Sequence, residues 1–365
     1  MSVKKLLFLM SALLFFLVGA WCVHRSFFSL ESKLDNYIKV FVAQGNFSGS
    51  VLVAKDGKIL LCKGYGMANY ELSIPNTPQT KFRICSITKT FTAMAIMMLV
   101  ERKLLQINDV LSKFFSDYPI GNKITIQQLL THTSGIPNYT LFPDYKMKRS
   151  LGLSVTDVID RVKKEPLNFT PGKKFEYSNS GYVLLSKIIE IISGKSYEDF
   201  LKEDVFLPLA MHNTGQDNHR LILKQRAAGY SLKNGILENS DYITVPYILG
   251  DGVLYSTILD LYQWSRALHA NKFINKSSYD KMHTAFVRMP DQWGENYTYG
   301  YGWIISDLLG HKLIHHPGGI DGGFSGEFYN FIDDDLSIII LSNVEGTPVA
   351  QISNDLAAIV FDQKK

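Results

Sequence analysis

Cysteine is scarce in this chain: Cys22, Cys62 and Cys85 are the only three in 365 residues. That number cannot build a disulfide framework, and no Cys-x-x-Cys pair is present for metal or redox chemistry. Cys62 and Cys85 read instead as small buried hydrophobes. An excess of one charge is also missing. Lys and Arg total 38 against 34 acidic residues, a formal net charge of +4, which offers no electrostatic footprint for nucleic acid. Three familiar motifs are absent as well. Without Gly-x-Ser-x-Gly the chain is not a Ser-His-Asp hydrolase of the α/β type. Without His-Glu-x-x-His or a comparable cluster it has no metal site to predict, since the adjacent His315-His316 pair does not supply one. Without Gly-x-x-x-x-Gly-Lys-Ser/Thr it has no phosphate loop. Repeats, low-complexity tracts and Pro- or Ser-rich linkers are lacking too, while 46% hydrophobic and 20% charged residues describe an ordinary globular protein.

One long apolar run stands at the start. Lys4 and Lys5 precede Leu6 to Val23, broken only by Ser11 and Gly19. A basic start, an apolar middle and small residues at the end have the anatomy of an export signal. Residues 1–23 therefore read as a signal peptide cut after Ala20, or as an uncleaved membrane anchor of sufficient length to span a bilayer. Either way residues 24–365 are expected outside the cytoplasm, periplasmic or extracytoplasmic, with membrane association through the leader. Bulky Trp21 beside Cys22 disfavours a lipoprotein site.

After the leader, Leu30, Leu34, Ile38 and Phe41 fall on one helical face. Ser50 to Ala54 and Ile59 to Cys62 flank Asp56-Gly57, a strong hairpin signal because both turn residues tolerate positive φ. Ser86 to about Leu104 predicts a helix apolar on nearly every side, hence buried. Residues 105–290 read as mostly helical and loop-rich. Short apolar segments return at Gly302–Ile305, Lys312–Ile314, Phe324–Phe331 and Leu336–Leu341, and their short connections favour antiparallel neighbours. Thr347-Pro348 predicts a last helix with Thr as N-cap and Pro at its first position. The expected fold is α/β (α+β): a central antiparallel sheet flanked by N- and C-terminal helices, from about 28–85 and 290–365. A large, mostly helical part, about 86–289, is inserted, with a cleft where the two meet.

The chemistry centres on Phe82-Arg-Ile-Cys-Ser86-Ile-Thr-Lys89. Ser and Lys three apart at a helix start lie on one face, one turn apart, near free backbone N–H groups. Serine is a poor nucleophile until a base takes its proton, and a lysine whose pKa is lowered by burial can do so. The same residues also fit a plain N-cap beside a solvated lysine, although the apolar helix that follows leaves Lys89 little access to water.

Together, Ser86-Ile-Thr-Lys89, Tyr177-Ser-Asn179 and His316-Pro-Gly318 resemble, in order and spacing, the three motifs of class C β-lactamases and low-molecular-weight penicillin-binding proteins, a family that also holds esterases and D-aminopeptidases. Leu129 to Ile136, Pro171-Gly172 and Gly252 to Thr257 agree with it. The resemblance implies a β-lactamase/transpeptidase-like fold and an acyl-enzyme on Ser86, with no cofactor. It makes Lys89 and Tyr177 the acid–base pair, with Tyr177 passing the proton to the leaving group. Asn179 would hold the substrate carbonyl side and steady Lys89. The N–H groups of Ser86 and Gly319 would form the oxyanion hole, Gly318 would leave room for substrate along the strand, and Tyr139 would line the acyl pocket.

Where carboxylate-binding members carry Lys-Thr-Gly or Lys-Ser-Gly, this chain has His316-Pro317-Gly318. Histidine is only partly charged near neutrality, and Pro317 lacks both hydroxyl and N–H. Esters or D-amino-acid peptides are therefore expected above penicillins, and His316→Lys is expected to favour carboxylate substrates. Alternatives are a DD-carboxypeptidase or weak β-lactamase, and a non-catalytic penicillin- or peptidoglycan-binding module. The partner is a small-molecule or peptide substrate, cell-wall material included. His132, His315 and Asp260 read as structural, the last as a capping residue.

Overall fold

The computed structural model describes residues 29–362 apart from 219, 244–249 and 321. The leader, with its signal or anchor reading, lies outside the described residues. Among those described, no helix is long and apolar enough to cross a membrane.

The chain opens on helix α1, Leu30–Ala43, with Ser29 capping it through the Ser32 N–H and Leu34 and Ile38 buried. The hairpin follows as β1, Gly49–Lys55, and β2, Lys58–Tyr65. Asp56 and Gly57 have φ of 51° and 72°, the left-handed pair that a two-residue turn requires. At the other end of the chain come β3 (Val287–Arg288), β4 (Thr298–Tyr299), β5 (Ile304–Leu308), β6 (His311–Ile320), β7 (Phe324–Phe331) and β8 (Leu336–Ser342). They join β1 and β2 in one antiparallel sheet ordered β3-β4-β5-β6-β7-β8-β1-β2. The first strand of this sheet thus pairs with the one that enters it last, Leu52 facing Ile339, which joins the two ends of the chain into one unit.

Strand alternation divides the core. Val51, Val53, Ile338 and Ile340 pack under α1 and the C-terminal helix, Val349–Phe361, while Leu52, Ile339 and Leu341 face the buried helix that follows Ser86. That helix, α2, runs Thr88–Glu101, and every residue from Thr88 to Leu99 is buried. It is shorter at both ends than the sequence predicts: a 3-10 turn over Cys85–Ile87 replaces its first turn. The C-terminal helix begins one residue later than expected. Pro348 takes the cap position, and Thr347 spends its hydroxyl on the Val344 carbonyl, 2.9 Å away.

The inserted part contains helix α3, Asn179–Ser193, and helix α4, Ile258–His269. It also holds strands that helical periodicity concealed. Leu254–Ser256 and Gly215–Gln216 form a small sheet with Phe82–Arg83 from just ahead of the insertion, and Tyr230–Lys233 pairs with Ile236–Asn239 across Asn234-Gly235. The Asn-Gly pair was the available signal for that hairpin.

Candidate active site

The segment carrying Ser86 is a sharp corner. It leaves the small sheet at Arg83, and Cys85 adopts φ of +49° to start the 3-10 turn, a strained state for a residue with a Cβ. The corner sets half-buried Ser86 on the wall of a cavity of about 530 Å³, together with Tyr139, Asn179, Asp251 and Gly319. One turn on, Lys89 is 0% exposed. Its ammonium donates to Ser86 Oγ at 2.9 Å and to the main-chain oxygen of Asp251 at 2.6 Å. A solvated lysine beside a simple cap is therefore not what the fold builds. Lys89 Nζ also lies 5.0 Å from the centroid of the Tyr177 ring and 5.5 Å from that of Tyr182.

Tyr177 is half-buried and held as a plate, with His132 at 4.3 Å and Trp293 at 5.5 Å between ring centroids. His132 is itself fixed by accepting the Ser178 N–H at Nδ1, 3.1 Å. Burial and the Lys89 charge hold its pKa well below the usual histidine range. It is the buried support the sequence predicts. His315 likewise faces away from the cavity and meets Glu327 at 3.2 Å. Asp260 is structural but not the cap expected of it: its carboxylate accepts from the Asn213 N–H and the Thr214 hydroxyl, and Thr257 caps α4.

Three expectations for the site need correction. Asn179 begins α3 and lines the cavity, but its amide donates to Thr140 Oγ1 at 3.4 Å, and it is the Asp251 carbonyl that steadies Lys89. His316 does not present a partly charged ring to substrate. It is 1% exposed, its Nδ1 donates to the Pro317 carbonyl at 2.7 Å, and its Nε2 accepts from the Tyr299 hydroxyl at 3.1 Å. Burial and nearby Lys89 hold its pKa down to about 3, so it is neutral at physiological pH. Gly318 makes room for the protein rather than for substrate, because a Cβ there would stand 2.4 Å from the Ile84 carbonyl. Gly319 alone keeps the open face: a Cβ there would meet nothing within 4 Å. β5 pairs with β6 only as far as His315, so among the described residues no strand pairs with β6 on that side from His316 onward.

Tyr139 does line the cavity, and its hydroxyl donates to Asp251 Oδ2 at 2.9 Å. Asp251 itself escaped the sequence reading. Its signal was an acid between two glycines in an otherwise apolar stretch. Burial pushes its carboxyl up to about 7, against the opposing pull of Lys89. Among the described residues, no group of three His, Cys, Asp or Glu side chains is placed to hold a metal ion.

Comparison with known proteins agrees with this geometry. The family model described as Beta-lactamase matches residues 34–361. Penicillin-binding protein 4* of Bacillus subtilis is 32% identical over 86% of this chain and 72% of its own. The octameric penicillin-binding protein homologue from Pyrococcus abyssi superposes with a TM-score of 0.81 at 33% identity, over 91% of this chain and 77% of that one. The D-amino acid amidase of Ochrobactrum anthropi, 23% identical, shares the fold with a TM-score of 0.80 over 92% of this chain and all of its own. This chain belongs to the beta-lactamase family and is a serine hydrolase of that fold.

Proposed function

We propose that the protein is an exported acyl hydrolase that forms an acyl-enzyme on Ser86 and prefers uncharged esters or D-amino-acid peptides to penicillins. The observation that carries the reading is the buried Lys89 side chain, its Nζ 2.9 Å from Ser86 Oγ at the cavity wall. In this scheme neutral Lys89 takes the hydroxyl proton as Ser86 attacks the carbonyl. Tyr177, stacked over Lys89, passes a proton to the leaving group and then helps water attack the ester. The N–H groups of Ser86 and Gly319 receive the developing oxyanion, a role supported by Gly319 lining the same cavity. The substrate preference rests on His316, which is buried and neutral where a carboxylate clamp would need a cation. Export rests on Lys4, Lys5 and the apolar run that follows.

A second reading, as a DD-carboxypeptidase or weak β-lactamase, is favoured by Lys146, an exposed cation that lines the same cavity and offers a substrate carboxylate a different anchor. Intact-mass kinetics with a chromogenic ester, a cephalosporin and a D-Ala-D-Ala peptide separates these readings. The proposal expects turnover of the ester far above the other two, through an adduct on Ser86. Equal or faster turnover of the carboxylate substrates would establish the second reading. A stable adduct without product would mark a non-catalytic binding module.

A further inference from the structure

Asp251 is a carboxylic acid where the cavity wall would be cheaper without one. The residue is 4% exposed. Its Oδ2 accepts the Tyr139 hydroxyl at 2.9 Å, and its Oδ1 has no hydrogen-bond partner among the described residues. Its main-chain oxygen accepts Lys89 Nζ at 2.6 Å, the same ammonium that donates to Ser86. A half-satisfied buried carboxyl destabilises a fold, and such groups concentrate where they serve a site. Here one residue both grips the lysine through its backbone and carries an acid next to it.

We infer that Asp251 is a positioning residue that sets how tightly Lys89 holds its proton, and through Lys89 the reactivity of Ser86. When Asp251 is ionised, the negative charge favours the Lys89 ammonium. When it is protonated, Lys89 gives up its proton more readily and can take the one on Ser86.

Other groups face this pair from several elements. His132 and His316 are held neutral by burial, and the Cys85 thiol is pushed up to about 12. Tyr139, Tyr182 and Tyr197 have their hydroxyls raised by burial. Tyr177 stacks over Lys89, Tyr145 packs edge-on against Tyr139, and Lys146 and Arg149 line the cavity with Asp251. Among these groups Asp251 carries the carboxyl that feels the Lys89 charge, and its burial brings its titration close to neutrality, to about 7.

The inference rests on Lys89 acting as base toward Ser86, so the experiment reads that step directly. The rate of Ser86 acylation by a fluorophosphonate is followed by intact mass and peptide mapping from pH 5 to 10, in wild type, Lys89→Ala, Asp251→Asn and Tyr139→Phe. Removing the negative charge should move the rising limb of the Asp251→Asn profile to lower pH by about one unit or more. Tyr139→Phe removes a hydrogen bond that favours ionised Asp251, so its limb should move the same way by less. A uniform loss of rate at every pH, with the limb unmoved, would make Asp251 merely structural and overturn the inference. Labelling elsewhere than Ser86, or a wild-type rate in Lys89→Ala, would instead remove the underlying mechanism and the inference with it. Should Asp251→Asn fail to fold, Tyr139→Phe decides by the same criterion.

Discussion

Gly318→Ala tests how the strand edge is set against the nucleophile. The added Cβ would lie 2.4 Å from the Ile84 carbonyl oxygen and 3.4 Å from Ile87 Cγ1. A relaxed carbon–oxygen contact is about 3.3 Å, so the strand and the 84–87 corner must separate by roughly 0.9 Å. The Ile84 carbonyl cannot swing away cheaply, because the same residue's N–H is tied to the Leu254 carbonyl at 2.9 Å. Overpacking of this kind costs about 1–3 kcal/mol, read as a fall of a few degrees in melting temperature. The functional loss should be larger. Ser86 and Gly319 sit on the two segments being forced apart, and a misplacement of about 1 Å is enough to cost 10²-fold in rate. Gly319→Ala is the control, since its Cβ enters open space and its stability should stay within about 0.5 kcal/mol of wild type. Steady-state kcat on a chromogenic ester and a thermal melt measure both effects. A Gly318→Ala protein with wild-type kcat and melting temperature would refute the packing argument.

Further outcomes follow from the same geometry. Ser86→Ala should take up no fluorophosphonate, and Lys89→Ala and Tyr177→Phe should each lower kcat by about two to four orders of magnitude; near-normal turnover would remove that residue from the mechanism. His316→Lys, expected from sequence to help carboxylate substrates, should instead destabilise the protein by about 3–5 kcal/mol, because it buries an unpaired ammonium near Lys89. A stable variant with improved penicillin turnover would contradict the buried, neutral reading of that position. Burial also holds the His283 pKa down to about 3, so between there and the ordinary value near 6.5 the unfolded chain binds a proton that the folded one refuses. His283 therefore favours the fold fully above pH 6.5 and progressively less as pH falls toward 3. Denaturant unfolding of His283→Gln should lose less stability on acidification, by about 1.4 kcal/mol per pH unit in that window; identical slopes would show that His283 already carries its proton when folded.

Local pattern was enough to place the hairpin at Asp56-Gly57, the buried helix after Ser86 and the terminal strands, because each depends on a period or turn pair within a few residues. The order of Ser86, Lys89, Tyr177, Asn179 and Gly319 was also legible, since the catalytic spacing of this family is written along the chain. What neighbours do was not. His316 looks like a titrating group in the sequence, yet Tyr299 and the Pro317 carbonyl enclose it as a neutral ring. Gly318 and Gly319 are indistinguishable as letters, and only the approach of Ile84 from a distant segment gives them different tasks. Asp251 stands 162 residues from Lys89 in the chain, and no periodicity relates the two. Its contact, its burial and the resulting rise of its pKa exist only after the helical insertion folds back over the nucleophile, because desolvation is a property of the packed environment and not of the residue.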